Sequence, residues 1–223
     1  MPSTDASTSG SYTPREFIAF ALAMLAAFAL YVPNLRLELL ADDYVFISQA
    51  LRHPLTSLLG TTGGETFYRP LSRQIYFTGM AHLFGADPLP YHLVNLALYL
   101  LAAALLGHLA RILLRPAAAP AAVVLFAGQH AGSVLTGWAC CTQDLFALVF
   151  LVAALLLQIA GRRTWSLLTL VAGLLSKETA AVLPALVVVV EWKHLRKPLR
   201  EALLAGRWHM ALTGAWGLLY LAR

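Results

Sequence analysis

Residues 91–114, YHLVNLALYLLAAALLGHLARILL, decide the class of this chain. No acidic residue interrupts the run and its one arginine, Arg111, falls in the last turn, so the stretch can cross a hydrocarbon core of about 30 Å as a helix. Six further apolar runs flank it, at 17–33, 117–137, 144–160, 164–176, 179–192 and 208–222. Composition agrees: only 12% of the residues are charged and 59% are hydrophobic, whereas a soluble domain carries about 25% charge. A soluble enzyme, a disordered tail and a nucleic-acid-binding protein are thereby excluded. The expected fold is all-α, a polytopic membrane bundle of about seven transmembrane spans forming a single domain over residues 1–223.

The net charge of +5 reports topology, because the basic residues cluster at the ends of apolar runs, where a membrane surface is their natural partner. Placing the N-terminus in the cytoplasm puts Arg15, Arg111, Arg115, Arg162, Arg163, Lys193, Arg196, Lys197, Arg200 and Arg207 inside, and leaves only Lys177 in the short outer turns. Residues 1–16 become a cytoplasmic tail whose opening, MPSTDASTSGSYTP, lacks a basic n-region, so the run at 17–33 reads as an uncleaved anchor. Trp138, Trp165, Trp192 and Trp208 lie near span ends as interface anchors. Cys140 and Cys141 are adjacent, a poor geometry for a mutual disulfide.

The sizeable polar segment is the outer loop, residues 34–90, with Thr-Thr-Gly-Gly at 61–64 as its loop signal. Two stretches in it carry helical periodicity. Asp42 to Arg52 has Tyr44, Ile47 and Leu51 on one stripe, and residues 71–84 place Ile75, Phe77, Met80 and Leu83 among polar neighbours; both read as interfacial helices.

Asp42 and Asp43 are adjacent carboxylates whose repulsion favours one as a general base toward a hydroxyl. The plainer reading is a helix N-cap and dipole partner. Arg69, in Tyr68-Arg69-Pro70-Leu71, suits a phosphate, or snorkels at the interface. Counting about 1.5 Å per residue from the inner basic anchors puts His130 and Lys177 roughly 20 Å deep, and His92 and Asp144 roughly 28 Å. The runs either side of Ser176-Lys177-Glu178 are too short to cross unaided, so Lys177 and Glu178 sit below the outer surface, where ionisable groups mark a functional site by default. A pairing between the two, capping a helical hairpin, is disfavoured because adjacent helix residues point about 100° apart. His92 with Asn95, and His130, fit packing between helices as well as ligand binding.

With these residues in view, the chain resembles the GT-C superfamily of polytopic glycosyltransferases. The stretches that carry the likeness are ADDYVFI, FYRPLSR, LFGADPLPYHLVNL, GWACCTQDLFAL and LLSKETAAVLPALVVVVEW. The nearest branch is the bacterial relatives of the transmembrane, tetratricopeptide-repeat O-mannosyltransferases. The resemblance implies an inverting transfer of a sugar from a polyprenyl-phosphate donor to an acceptor hydroxyl of a protein, lipid or glycan, on the outer face of a bacterial inner membrane. It implies Asp42 or Asp43 as catalytic base, and Arg69 and Lys177 near the donor phosphate. Tyr68, His92, His130, Asp144 and Glu178 complete the candidate substrate-binding set. No cofactor is demanded, although in the oligosaccharyltransferase branch the acidic pair helps bind a divalent metal, a role that would fall to Asp42 and Asp43. Members of the superfamily generally carry more spans and a further C-terminal region, so the expectation is the N-terminal part of a larger fold. Outside this class, a non-catalytic binder of lipid-linked sugar and a small transporter also fit a membrane bundle with sunken charges.

Overall fold

The computed structural model describes residues 12–52 and 68–222, and these are all-helical, with no strand among them. Helix α1, Pro14–Tyr31, starts at a capping box: the Thr13 hydroxyl accepts the Glu16 N–H at 3.3 Å and Glu16 Oε2 accepts the Thr13 N–H at 2.9 Å. Only Ala23, Ala27 and Tyr31 of α1 are buried, a single stripe at spacing four, so nearly all its other side chains point away from the protein. In the loop that follows, α2 spans Asp42–Arg52 and α3 spans Tyr76–Phe84. The Asp87 side chain caps α4, Pro88–Leu113, by accepting the Leu89 N–H at 3.1 Å. The remaining helices are α5, Ala118–Ala127; α6, His130–Gly137; α7, Thr142–Ile159; α8, Arg163–Leu174; α9, Leu183–Val189; and α10, Leu199–Leu221.

Among the described residues three segments are long and apolar enough to cross a membrane: Pro14–Arg36, Pro88–Leu113 and Ala139–Ile159. A fourth is added if α5 and α6, bent by 68° at Gly128-Gln129, count as one broken span. Three to four is fewer than the seven runs in the sequence. The difference has physical causes: α8 holds 12 residues, about 18 Å of helix, and α9 holds 7. Helix α10 is long enough, but Arg200, Glu201, Arg207 and His209 dilute its apolarity. The tail over residues 1–11 and the Thr-Thr-Gly-Gly signal of the outer loop lie outside the described residues.

Packing follows membrane rules, in which small residues bring helices close because lipid supplies little hydrophobic drive between them. Ala23 and Ala27 of α1, Ala103 of α4 and Ala127 of α5 form one core with Tyr31, Leu96, Tyr99 and Leu145. A Cβ on Gly107 would come within 2.8 Å of the Phe20 ring, so any larger residue would have to displace that ring where α1 crosses α4. A second core joins α7, α8 and α9 through Leu155, Leu170, Leu174, Leu183 and Val187. The third lies under the loop helices: Leu39, Ile47, Phe77, Ala81, Tyr91 and Ala139. The expected stripe of α2 is rotated, since Tyr44 and Leu51 are both 52% exposed while Asp43 joins Ile47 on the buried face.

The bend between α5 and α6 frees carbonyls that apolar surroundings would leave unpaired. Side chains accommodate them. Tyr31 Oη donates to Ala127 O at 2.5 Å, Tyr99 Oη to Phe126 O at 3.1 Å, and Gln129 Nε2 to Leu125 O at 3.1 Å.

Candidate functional site

The site is built where the chain between α8 and α9 comes out of helix. Lys177 is extended, with φ −160° and ψ 145°, and precedes a 3-10 turn over Glu178–Val182. This break exposes backbone acceptors inside an apolar bundle, which is stable only where protein groups satisfy them. The loop after Tyr68 does so: Leu71 N–H donates to Leu175 O at 3.0 Å, and the fully buried Ser72 hydroxyl donates to Ser176 O at 2.5 Å. The donors come from a π-helical turn, Pro70–Ile75, a geometry often found at functional sites.

On this frame two ion pairs stand side by side. Arg69 grips Glu178 bidentately, Nε to Oε2 at 3.0 Å and Nη2 to Oε1 at 2.6 Å, and sends Nη1 to Gln143 Oε1 at 2.8 Å. Lys177 Nζ lies 2.6 Å from Asp144 Oδ1, with their side chains 21% and 37% exposed. Neighbours in sequence thus take different partners, as their divergent directions on the chain require, and Lys177 does not pair with Glu178. Two cations and two carboxylates cancel. Asp144 takes one of the three ammonium hydrogens of Lys177, whose others remain available to an anion.

Asp43 connects this centre to the loop helices. Its carboxylate is fully buried and accepts two backbone N–H groups, Leu40 on Oδ2 at 2.8 Å and Cys140 on Oδ1 at 2.7 Å. Cys140 precedes Gln143 and Asp144 by one turn, and Cys141 lies within electrostatic reach of Asp43, Asp144 and Lys177 together. Asp42, by contrast, is exposed, and no hydrogen bond or ion pair among the described residues engages it. The adjacent acids therefore have different situations: Asp43 holds structure and Asp42 faces outward. Tyr76, edge-on to Phe77 and Phe146, borders the same region, and burial pushes its phenol above the ordinary range, so it stays protonated.

The other candidates lie elsewhere or act as frame. Tyr68 is half-buried beside Arg69. His92 and Asn95 hold the junction of α6 and α7: His92 Nδ1 lies 3.3 Å from Thr136 O, and Asn95 Nδ2 donates to Leu135 O at 3.0 Å and Trp138 O at 2.8 Å. His130 is exposed at the start of α6 and has no hydrogen bond to Arg69 or Lys177 among the described residues. A divalent metal does not fit the acidic pair, because Asp43 is fully buried while Asp42 is exposed, and no three His, Cys, Asp or Glu side chains among the described residues gather to hold an ion.

Sequence reasoning missed Gln143, Ser72 and the backbone of Ser176. Gln143 adjoins Asp144 in an apolar run, which was a usable signal. Nothing local marks Ser72 as the partner of a carbonyl so far along the chain.

No protein-family model, curated protein or solved structure matches this chain.

Proposed function

We propose that the chain is an integral membrane glycosyltransferase of the GT-C type, moving a sugar from a polyprenyl-phosphate donor to an acceptor hydroxyl on the outer face of a bacterial inner membrane. The observation that carries this reading is the juxtaposition of the sunken Arg69–Glu178 and Lys177–Asp144 pairs with the anchored Asp43 and exposed Asp42. In the proposed reaction Asp42 takes the acceptor proton as its oxygen bonds to the anomeric carbon with inversion. The carbon–oxygen bond to phosphate breaks, its electron pair stays on polyprenyl phosphate, and Lys177 with Arg69 screens the added charge. Glu178 and Asp144 hold the cations in place for the donor, and no metal enters the step.

The orientation, N-terminus inside and site outside, rests on the basic end of the bundle. Arg111, at the end of α4, lies 4.1 Å over the ring of Tyr12, which precedes α1, so this one basic helix end stands beside the N-terminal segment. The shorter runs, α8 with α9 and α10, complete the seven-span bundle in this reading, with the loop helices α2 and α3 resting in the outer interface.

Binding of polyprenyl phosphate to the purified chain in nanodiscs, followed by native mass spectrometry, tests the donor site. Retention that drops in Lys177→Ala supports it; a folded wild-type protein that retains none overturns it. A second reading, a non-catalytic binder of lipid-linked sugar, is favoured by the neutral sum of the cluster. It predicts donor retention with no transfer to any hydroxyl acceptor.

A further inference from the structure

Helix α7 carries Asp144 near one end and Gln158 near the other, about 21 Å apart by helix rise. At the Gln158 end a cleft of about 540 Å³ opens between α7, α8 and the start of α10. Its walls hold Gln158, Arg163, Glu191, Lys197 and Glu201. Gln158 and Glu191, 8% and 2% exposed, are joined by Nε2 to Oε1 at 2.7 Å. Lys197 reaches the other Glu191 oxygen at 2.6 Å. Arg163 Nη2 donates to the carbonyls of Leu204 and Ala205.

Two buried polar atoms of this wall, Gln158 Oε1 and Arg163 Nε, have no hydrogen-bond partner among the described residues. Because Glu191 fixes the orientation of the Gln158 amide, Gln158 Oε1 is left as an unused acceptor, and Arg163 Nε as an unused donor. Such groups are costly unless something completes them.

The cleft does not end at its polar wall. A groove of about 420 Å³ runs between Leu167, Leu168 and Val171 of α8 and Trp208, Ala211 and Leu212 of α10. On α10 the cleft residues 201, 204 and 205 and the groove residues 208, 211 and 212 recur at steps of three and four, which is one helix face. On α8 the lining passes from Arg163 directly to Thr164. The two are successive stretches of one furrow, polar at the end of the Ala139–Ile159 span and apolar beside it. That is the profile of an amphiphile standing in a bilayer.

Charge selects the headgroup. Arg163 and Lys197 oppose Glu191 and Glu201, so the wall sums to zero and offers both signs, which disfavours a purely anionic lipid. The unused acceptor asks for an N–H donor, which a quaternary ammonium lacks. We propose that this furrow binds one phospholipid with a phosphoethanolamine headgroup. Its phosphate lies against Arg163 and Lys197, its primary ammonium against Glu201 and Gln158 Oε1, and one acyl chain along α8 and α10. The site is separate from the Arg69–Lys177 cluster and does not depend on the transfer reaction.

The test offers the purified full chain equal amounts of phosphatidylethanolamine, phosphatidylglycerol and phosphatidylcholine of matched acyl chains and reads retained lipid by native mass spectrometry. Phosphatidylethanolamine is expected to be retained about fivefold over the others, and Glu201→Gln, an exposed residue outside the transfer site, to erase that preference at unchanged melting temperature. In parallel, phosphatidylethanolamine with brominated chains should quench tryptophan fluorescence, with the quenching reduced in Trp208→Phe. Equal retention of the three lipids, or a preference intact in a folded Glu201→Gln, overturns the headgroup assignment. Quenching unchanged in Trp208→Phe overturns the chain groove.

Discussion

The Asp43 carboxylate accepts the backbone N–H of Cys140 at 2.7 Å across 97 positions of sequence, tying the first turn of α2 to the turn that starts α7. Because its second oxygen takes the Leu40 N–H, the residue works as a clamp that sets where the outward-facing Asp42 stands.

The two acids should therefore separate cleanly on mutation. Asp43→Ala strands two part-buried N–H groups and is expected to cost about 1–3 kcal/mol, seen as a melting temperature lowered by several degrees in the same detergent. Asp42→Asn should melt like the wild type and lose sugar transfer. Wild-type transfer by Asp42→Asn would remove it as the base.

Arg69 and Glu178 should behave as one unit. Removing either alone leaves a charge inside the bundle and is expected to destabilise by roughly 1–3 kcal/mol, discounted for the 34% exposure of Glu178. The double replacement Arg69→Met with Glu178→Met should cost less than the two single changes added together. Strict additivity in thermal melts would mean that the pair contributes nothing.

In the proposed reaction Lys177 and Asp144 should divide binding from positioning. Lys177→Gln should weaken polyprenyl-phosphate binding, while Asp144→Asn, which only releases the ammonium, should leave binding measurable but slow turnover. The check is donor titration and single-turnover transfer on the same preparations. If Asp144→Asn abolished donor binding, the carboxylate itself would have to contact the donor.

Gly132 should be intolerant for a reason far from the charges. An added Cβ would overlap the Tyr31 hydroxyl and come within 2.6 Å of the Tyr99 hydroxyl, displacing the donors that satisfy the bend between α5 and α6. Gly132→Ala is expected to cost about 1–3 kcal/mol. Combining it with Tyr31→Phe, which removes the overlapped oxygen, should recover part of the lost melting temperature; no recovery would place the clash elsewhere.

Much of this was legible along the chain, and the limits have particular causes. The amphipathic stretch at Asp42 to Arg52 is a helix, yet its buried face, Asp43 and Ile47, is rotated from its apolar stripe. Apolar residues suggested Tyr44 and Leu51 as the buried side, whereas Asp43 is drawn inward by two backbone donors that no periodicity reveals. The depth count separates Lys177, roughly 20 Å deep, from Asp144, roughly 28 Å, yet the two are in contact, because helix rise says nothing of how far a lysine side chain reaches. His92 and Asn95, whose spacing on one helix face reads as packing before ligand binding, hold the junction of α6 and α7.

The sequence by itself determined the class, an all-helical chain with membrane-length apolar runs, and the place of Lys177 and Glu178 at the junction of two short ones. Those properties depend on residues within a few turns of one another, where apolarity and helix rise act locally. Tertiary structure alone decided the pairings: Arg69 with Glu178 across 109 positions, Lys177 with Asp144 across 33, and the burial of one acid of an adjacent pair. The choice of partner turns on how each helix is rotated and where its backbone breaks, and that is set by packing against helices distant in the chain.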